Sequence, residues 1–236
     1  MSGNPRLRER ARAPTSDELQ GVPWLWQLDE ADRREALAHL SVGEALPGER
    51  ICRTGAPSNY WFGVIDGLLK MSNDTREGGQ ITYTGVPPGA WFGEGTLLKG
   101  EVYRYNIEAL RASRVAGLPS EVFKRLLDRS IPFNRFVMNQ LNERLGQFIA
   151  AREIDRDNQP DVRVARSLAS LFHPVLYPGV GQVLRITQQE LAYLIGLSRQ
   201  RVNQALNALQ DARLIRVEYG GVRVLDLDGL RRHRVD

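Results

Sequence analysis

The sequence predicts an α+β protein in which a block of short strands is followed by a long helix and then by a compact helical segment with a terminal hairpin. Three observations carry this prediction. Short apolar segments separated by glycine turns run through residues 46–118, and an apolar stripe at helical spacing runs along residues 133–149. Two short helical patterns then meet at Gly196. These patterns have different periods, so they mark different structural regions rather than one repeated unit.

Composition limits the class of protein. With 236 residues, 42% hydrophobic and 25% charged, the chain has the composition of a globular protein and the length of two moderate domains. No apolar run approaches the roughly 20 residues of a membrane span, and the N-terminus lacks a signal peptide's apolar segment. We therefore expect a cytoplasmic protein with no membrane partner.

Metal and redox sites are not expected. Cys52 is the only cysteine, so neither an intramolecular disulfide nor a cysteine cluster for zinc or iron–sulfur can form. The three histidines are widely separated and lack metal-ligand spacing; they are His39, His173 and His233. The sequence predicts no metal site and no catalytic residues.

The first two regions along the chain differ in their residue patterns. Residues 1–20 are expected to form a mobile arm, whose four arginines within Arg6–Arg12 either are solvated or contact DNA or RNA polymerase. Residues 21–120 contain short strands between turn signals such as Pro47-Gly48 and Asp66-Gly67, spaced by about ten residues. This spacing predicts an all-β barrel or jelly roll, that is, a β-roll.

Residues 121–158 are predicted to be a helical segment ending in a polar hinge before Pro160. The longer helix carries apolar residues in steps close to a coiled-coil seam. We expect four of them to form a dimer interface with a second copy: Val137, Leu141, Leu145 and Phe148. The alternative is that this stripe packs wholly within the chain.

Residues 159–236 contain two helices joined by a tight turn, followed by a hairpin. Thr187 is expected to cap the first helix in a capping box with Glu190, and Ser198 to cap the second. Gly196 supplies the turn, because a left-handed backbone there penalises a Cβ. This is the sequence pattern of a helix-turn-helix, and the alternating apolar residues after Leu214 predict the wing of a winged helix.

The second helix of this pair is expected to enter the major groove of double-stranded DNA. Its outward positions lack acidic residues and are Arg199, Gln200, Arg201, Asn203 and Gln204. Residues 159–236 contain 11 arginines, no lysine and 7 acidic residues, whereas residues 1–158 contain 21 basic and 21 acidic residues. All the excess positive charge therefore lies beside the helix-turn-helix, as attraction to phosphate requires. An ordinary helical hairpin with a solvated face is the alternative.

A different motif interrupts the strand block. Gly93-Glu94 begins a predicted helical turn, and Arg104 follows on the next strand. Backbone N–H groups at a helix start and a nearby arginine suit an anion such as phosphate, while the glutamate could accept a hydrogen bond from a sugar hydroxyl. A turn beside a surface arginine explains the same residues.

The combination of these motifs resembles the cyclic AMP receptor protein family of transcription regulators, which includes the fumarate and nitrate reduction regulator. The resemblance covers about residues 20–228 and is strongest at Ile186-Thr-Gln-Gln-Glu190 with Gly196-x-Ser198-Arg199. It implies a cyclic-nucleotide-binding β-roll that senses an effector, a long dimerisation helix and a C-terminal winged helix-turn-helix. It further implies a homodimer whose effector repositions two recognition helices on a two-fold symmetric operator, and contact with RNA polymerase.

Two departures from the family bear on the effector. The resemblance implies an effector site of Gly93, Glu94, Arg104, Tyr105 and Phe148. Tyr105 replaces a small hydroxyl residue at the phosphate, and Phe148-Ile149 replaces the pair that meets the adenine. Both argue against unaltered cyclic AMP binding. A cyclic nucleotide is the first candidate ligand. Another small effector and no effector at all are the alternatives.

The resemblance also assigns roles on the DNA. Arg199 matches the family's guanine-reading arginine, whereas Gln200 and Gln204 replace a glutamate and an arginine. Since glutamine suits adenine or a water-mediated contact, the half-site should differ from the prototype's. Gln189, Ser198 and Arg201 are expected to position phosphates.

The sequence therefore predicts a sequence-specific, homodimeric transcription regulator without catalysis, acting as activator or repressor. One alternative is an effector-independent regulator of the same fold. The other is an enzyme on a cupin-like barrel with a DNA-binding tail, which the absence of histidine from residues 46–118 disfavours.

Overall fold

The structure is a computed structural model, and it describes residues 7, 9–155 and 159–234. Two compact units divide the chain, Met1–Asn142 and Glu143–Asp236. The boundary lies within the longest helix.

The N-terminal unit is built on two antiparallel sheets, which confirms the β-roll. Their strands are β1 Ser41–Ala45, β2 Arg50–Cys52, β3 Tyr60–Asp66, β4 Leu69–Asp74, β5 Gln80–Val86, β6 Trp91–Phe92, β7 Asn106–Ala109 and β8 Ser113–Pro119. The strand orders are β1-β8-β3-β6 and β2-β7-β4-β5. The helices are α1 Ser16–Gln20, α2 Glu30–His39, α3 Glu94–Lys99, α4 Ser120–Arg129 and the first part of α5 Ile131–Asp155, with a 3₁₀ turn at Leu25–Gln27.

An aromatic cluster forms the centre of this unit's core. Trp61 and Trp91 lie with ring centroids 4.4 Å apart, and Trp24 contacts both. Phe133, from the first turn of α5, meets Trp24 and Trp61 edge-on. Gly63 leaves room for this packing, because a Cβ there would lie 2.3 Å from the Trp91 ring.

The structure corrects the expected mobile arm. Residues 1–6 and 8 lie outside the described residues, but the described part of the segment packs on the β-roll. Leu7 is buried, and the backbone of Arg12 pairs with Val42 at the edge of β1. Arg12 also donates to Glu18 at 2.7 Å, and this bond is the main reason that the pKa of Glu18 falls to about 2. Arg10 forms an ion pair with Glu49 at 2.5 Å, so both arginines act within the fold rather than as a free tail.

The structure also corrects one residue, Val137, of the dimer seam predicted on α5. Val137 is 1% exposed and belongs to the core of the N-terminal unit, so it is not available to a second chain. Leu141 packs partly against the same core. The outward apolar side chains of this helix are instead Ile131, Met138, Leu145 and Ile149. The helix therefore carries two apolar faces where the sequence pattern suggested one.

Among the described residues, the C-terminal unit contains the rest of α5, four further helices and a three-stranded sheet. Its helices are α6 Pro160–Ser170, α7 Gln188–Ile195, α8 Arg199–Asp211 and α9 Leu227–Arg232. Its strands are β9 Val183–Leu184, β10 Ile215–Glu218 and β11 Gly221–Val224, in the order β10-β11-β9. The pair β10–β11 is the predicted wing.

Candidate nucleic-acid interface and candidate effector site

The start of α7 is fixed by the predicted capping box. The Thr187 Oγ1 atom accepts from the Glu190 backbone N–H at 3.1 Å, and a Glu190 carboxylate oxygen accepts from the Thr187 N–H at 2.7 Å. Two backbone donors that would otherwise lack partners are thereby satisfied.

The turn between α7 and α8 also forms as predicted. Gly196 has φ 71° and ψ 36°, in the left-handed region, and its N–H donates to the Ala192 carbonyl at 2.9 Å. Ser198 then caps α8 by accepting from the Arg201 N–H at 3.2 Å. Because the cap fixes where α8 begins, it places Arg199 and Gln200 in the first helical turn.

Helix α8 has one buried and one exposed face. The buried residues are Val202, Ala205, Leu206 and Leu209, as predicted. The exposed residues among the first nine positions of α8, here called the recognition face, are Arg199, Gln200, Asn203, Gln204 and Asn207. Sequence reasoning missed Asn207, although it follows Asn203 by four residues and so extends the same face.

Several polar side chains near this face are held by neighbours. Arg201 forms an ion pair with Asp161 of α6 at 3.0 Å and donates to Gln204 Oε1 at 3.1 Å. Gln188 Nε2 donates to Asn203 Oδ1 at 2.8 Å. The expected role of Arg201 as a phosphate contact stays a prediction, and the structure adds that its charge is shared with Asp161. Sequence reasoning gave no role to Asp161.

Arg199 and Gln200 differ from those residues. Within the described parts of the chain, neither side chain has a hydrogen bond or an ion pair, and both are exposed. The same holds for Gln189, at the start of α7. Their polar groups are therefore available to a ligand.

A groove of about 430 Å³ separates the wing from α7 and α8. Its lining includes Gln188, Gln189, Arg199, Val217, Glu218 and Gly220. Tyr219, at the tip of the wing, is fully exposed. Arg216 and Arg223 face each other across the two wing strands, and Arg223 donates to Glu218 at 2.5 Å. The wing and Arg199 thus border one open channel, whose lining also contains the acidic Glu218.

The motif of residues 93–105, here called the anion cassette, also forms a helical turn. Gly93 has φ 99° and precedes α3, and Glu94 is buried in its first turn. Tyr103, which sequence reasoning missed, is buried and donates its hydroxyl to the Tyr60 carbonyl at 3.0 Å. Burial is the largest cause of the raised pKa of Tyr103, so this hydroxyl stays protonated.

Arg104 lies on the surface of the cassette. Its side chain is 73% exposed and donates to Glu101 at 2.7 Å. Glu101 also pairs with Lys99 at 2.8 Å, and the bond from Lys99 is the main reason that the pKa of Glu101 is lowered. Tyr105 is partly buried and meets the Tyr103 ring at 5.9 Å. The fifth predicted effector residue, Phe148, belongs to the C-terminal unit and is partly buried there.

Two kinds of feature are absent from the described residues. They contain no group of three or more histidine, cysteine, aspartate or glutamate side chains able to hold a metal ion. None of the helices in these ranges is long and apolar enough to cross a membrane.

A β-roll and a winged helix-turn-helix in one chain define a DNA-binding transcription regulator rather than an enzyme. Residues 43–130 match the cyclic nucleotide-binding domain, and residues 162–233 match the Crp-like helix-turn-helix domain. Transcriptional regulator SdrP of Thermus thermophilus is 30% identical over 179 residues, which are 74% of this chain and 84% of SdrP. The chain belongs to the cyclic AMP receptor protein and fumarate and nitrate reduction regulator family of transcription factors, which confirms the resemblance.

Other relatives are more distant. The cAMP-activated global transcriptional regulator CRP of Haemophilus influenzae is 24% identical over 198 residues, which are 79% of this chain and 87% of CRP. The solved structure of FixK2 from Bradyrhizobium japonicum is 16% identical with a TM-score of 0.66, covering 81% of this chain and 95% of FixK2. This last likeness concerns the fold alone.

Proposed function

We propose that this regulator is a cytoplasmic homodimer that reads a two-fold symmetric operator through α8 and responds to a small effector bound at the anion cassette. The observation that carries the proposal is the recognition face, which is exposed, lacks acidic residues and begins with the unpaired Arg199. A free guanidinium in the first turn of a recognition helix can bind guanine O6 and N7 together. In this proposal the bound dimer also contacts RNA polymerase.

The DNA backbone would meet the groove between the wing and the two helices. Gln189 at the start of α7 borders it, so a phosphate entering there meets the amide donor of Gln189, while Arg199 at the same groove reads the base. Ser198 is engaged in capping α8, and its hydroxyl can still donate to a phosphate oxygen while accepting from Arg201.

The outward stripe of α5 supports the dimer. Met138, Leu145 and Ile149 are 62%, 61% and 59% exposed. Together with the partly buried Leu141 and Phe148, they place apolar side chains at positions 138, 141, 145 and 148. This spacing is that of a heptad seam. Large apolar side chains aligned on one helix face in this way are typical of an interface with another protein surface.

The anion cassette supports an anionic effector, and a cyclic nucleotide is the first ligand to test. The family match of residues 43–130 names this ligand class. Arg104 is available because an exposed ion pair such as that with Glu101 is worth only about 0–1 kcal/mol and a phosphate can replace it. Tyr105 adds bulk at the predicted phosphate position, and this favours the second candidate, a regulator of the same fold that needs no cyclic nucleotide.

One experiment tests the DNA-reading function. Operators are selected from randomised double-stranded DNA, and affinities are measured for the wild type and for Arg199→Ala at fixed salt. We expect Arg199→Ala to lose about 1–3 kcal/mol on the operator and to relax one base position. Arg34→Ala is the control, since it removes an equal charge from an exposed ion pair in the N-terminal unit. Equal losses on operator and random DNA would reduce Arg199 to a phosphate contact.

Sedimentation tests the dimer. Leu145→Glu should yield a monomer at micromolar concentration, because the new carboxylate would lie in the apolar contact of the seam. Leu225→Glu changes an exposed leucine that is 50% exposed and lies outside α5, so it should leave the assembly intact. A wild-type monomer that still binds the operator would contradict the proposed dimer.

A further inference from the structure

We infer that Asp161 and Arg201 fix the side-chain amide of Gln204 so that its NH₂ group, rather than its oxygen, leads toward DNA, and that this sets the base read at that position. The inference rests on the proposed function of α8 as the base-reading helix, and it deepens that function. Asp161 lies in the first turn of α6, outside the helix-turn-helix itself.

The contacts form a relay of three side chains. The carboxylate of Asp161 lies 3.0 Å from one terminal nitrogen of Arg201, and the other terminal nitrogen donates to Gln204 Oε1 at 3.1 Å. The side chains of Arg201 and Asp161 are 36% and 23% exposed, so the ion pair is partly shielded from water. Gln204 lies on the exposed face of α8.

The chemistry of arginine determines the orientation of the amide. A guanidinium has five N–H donors and no acceptor, so only the oxygen of the Gln204 amide can face it. The amide nitrogen must then point away from Arg201. The ionised carboxylate of Asp161 has acceptors and no donor. Its charge attracts the guanidinium to the position from which Arg201 reaches Gln204. Asp161 is therefore a positioning residue for Gln204.

This orientation changes the expected base. A free glutamine binds adenine through both its oxygen and its nitrogen, against N6–H₂ and N7. With one lone pair of the oxygen bonded to Arg201 and the amide nitrogen turned away from it, the NH₂ group of Gln204 leads toward the base. Its donors suit O6 and N7 of guanine or O4 of thymine. We therefore expect guanine or thymine opposite Gln204, in place of the adenine that the sequence suggests.

The test is operator selection from randomised DNA with full-length variants. Gln204→Glu identifies the position that residue 204 reads, and it should change the preference there to cytosine, because the second carboxylate oxygen accepts from cytosine N4. Asp161→Asn should reduce discrimination at that position by about 3- to 10-fold, the range that one hydrogen bond supports. Arg201→Met removes the donor itself and should have the same effect if Asp161→Asn impairs folding.

Asp228→Asn is the matched control, since it neutralises an aspartate paired with Arg231 in the same unit and should leave every base preference unchanged. Selection of adenine by the wild type at the position identified with Gln204→Glu would overturn the inference. So would unchanged preference in both Asp161→Asn and Arg201→Met, or no altered position in Gln204→Glu. If the wild type selected no sequence at all, the proposed function would fail rather than the relay.

Discussion

The recognition face and the anion cassette differ in what positions their side chains. On the recognition face, Ser198 caps α8 three residues from its partner Arg201, and Gly196 sets the preceding turn. In the cassette, Tyr103 bonds to Tyr60, which lies 43 residues earlier in the chain. Local chemistry fixes the first site, whereas strands distant in sequence fix the second.

The two sites should therefore respond differently to substitutions. A locally determined helix start should tolerate changes elsewhere in its unit, because its caps lie within one turn of it. A site assembled from several strands depends on the core that holds those strands in register. Two predictions test this contrast, and a third tests the response of the C-terminal unit to pH.

The first prediction applies one substitution to each unit. Gly63→Ala should destabilise the N-terminal unit by about 3 kcal/mol, because the new methyl group meets a Trp91 ring that Trp24 and Trp61 hold in place. Gly196→Ala should cost about 1–2 kcal/mol, because its backbone is left-handed but the space around it is open. Chemical denaturation of each variant gives both values. A smaller loss of stability for Gly63→Ala than for Gly196→Ala would contradict the expected difference between the two sites.

The second prediction concerns the cassette. If cyclic AMP binds there, it should raise the melting temperature of the wild type, and Arg104→Ala should weaken binding by about 1.5–3 kcal/mol, the worth of a hydrogen bond to a charged group. Lys99→Ala is the control, since Lys99 pairs with the same Glu101. An equal thermal shift in wild type and Arg104→Ala would exclude Arg104 from the site. No shift in the wild type would favour the effector-independent regulator.

The third prediction is a pH dependence in the C-terminal unit. His173 Nδ1 accepts from the backbone N–H groups of Val175 and Leu176 at 3.3 and 3.2 Å, and Nε2 lies 3.1 Å from Glu143. Burial lowers the pKa of His173, and Glu143 opposes this in part. The neutral form is therefore favoured in the folded state, so its stabilisation is present above the unfolded pKa of about 6.5 and is lost as the pH falls through the folded value.

Denaturation of wild type and His173→Gln between pH 7.5 and pH 5 measures this effect. The wild type should lose more stability on acidification than the variant, which cannot titrate. Both Arg144 and Arg231 disfavour the charged imidazole, so Arg231→Gln should reduce the pH dependence. Parallel profiles for wild type and His173→Gln would contradict the prediction.

The contrast also explains what could be predicted from the sequence. The Thr187–Glu190 capping box, the Gly196 turn and the Ser198 cap were predictable because each depends on residues a few positions apart. Val137 was assigned to the wrong face because α5 carries two apolar stripes, and spacing alone does not say which one meets the core. The Asp161–Arg201 pair joins two helices 40 positions apart, so no local pattern could reveal it.

The backbone pairing of Arg12 with β1 has a consequence for shortened forms of the protein. Val42 lies on an edge strand, and its backbone N–H and C=O are both bonded to Arg12, at 2.8 and 2.9 Å. Leu7 covers the same edge at Gly43, where a side chain would collide with it. A chain shortened beyond Arg12 would present an open strand edge, which favours edge-to-edge association. In sedimentation, shortened chains that associate through this strand edge would be mistaken for dimers formed through α5.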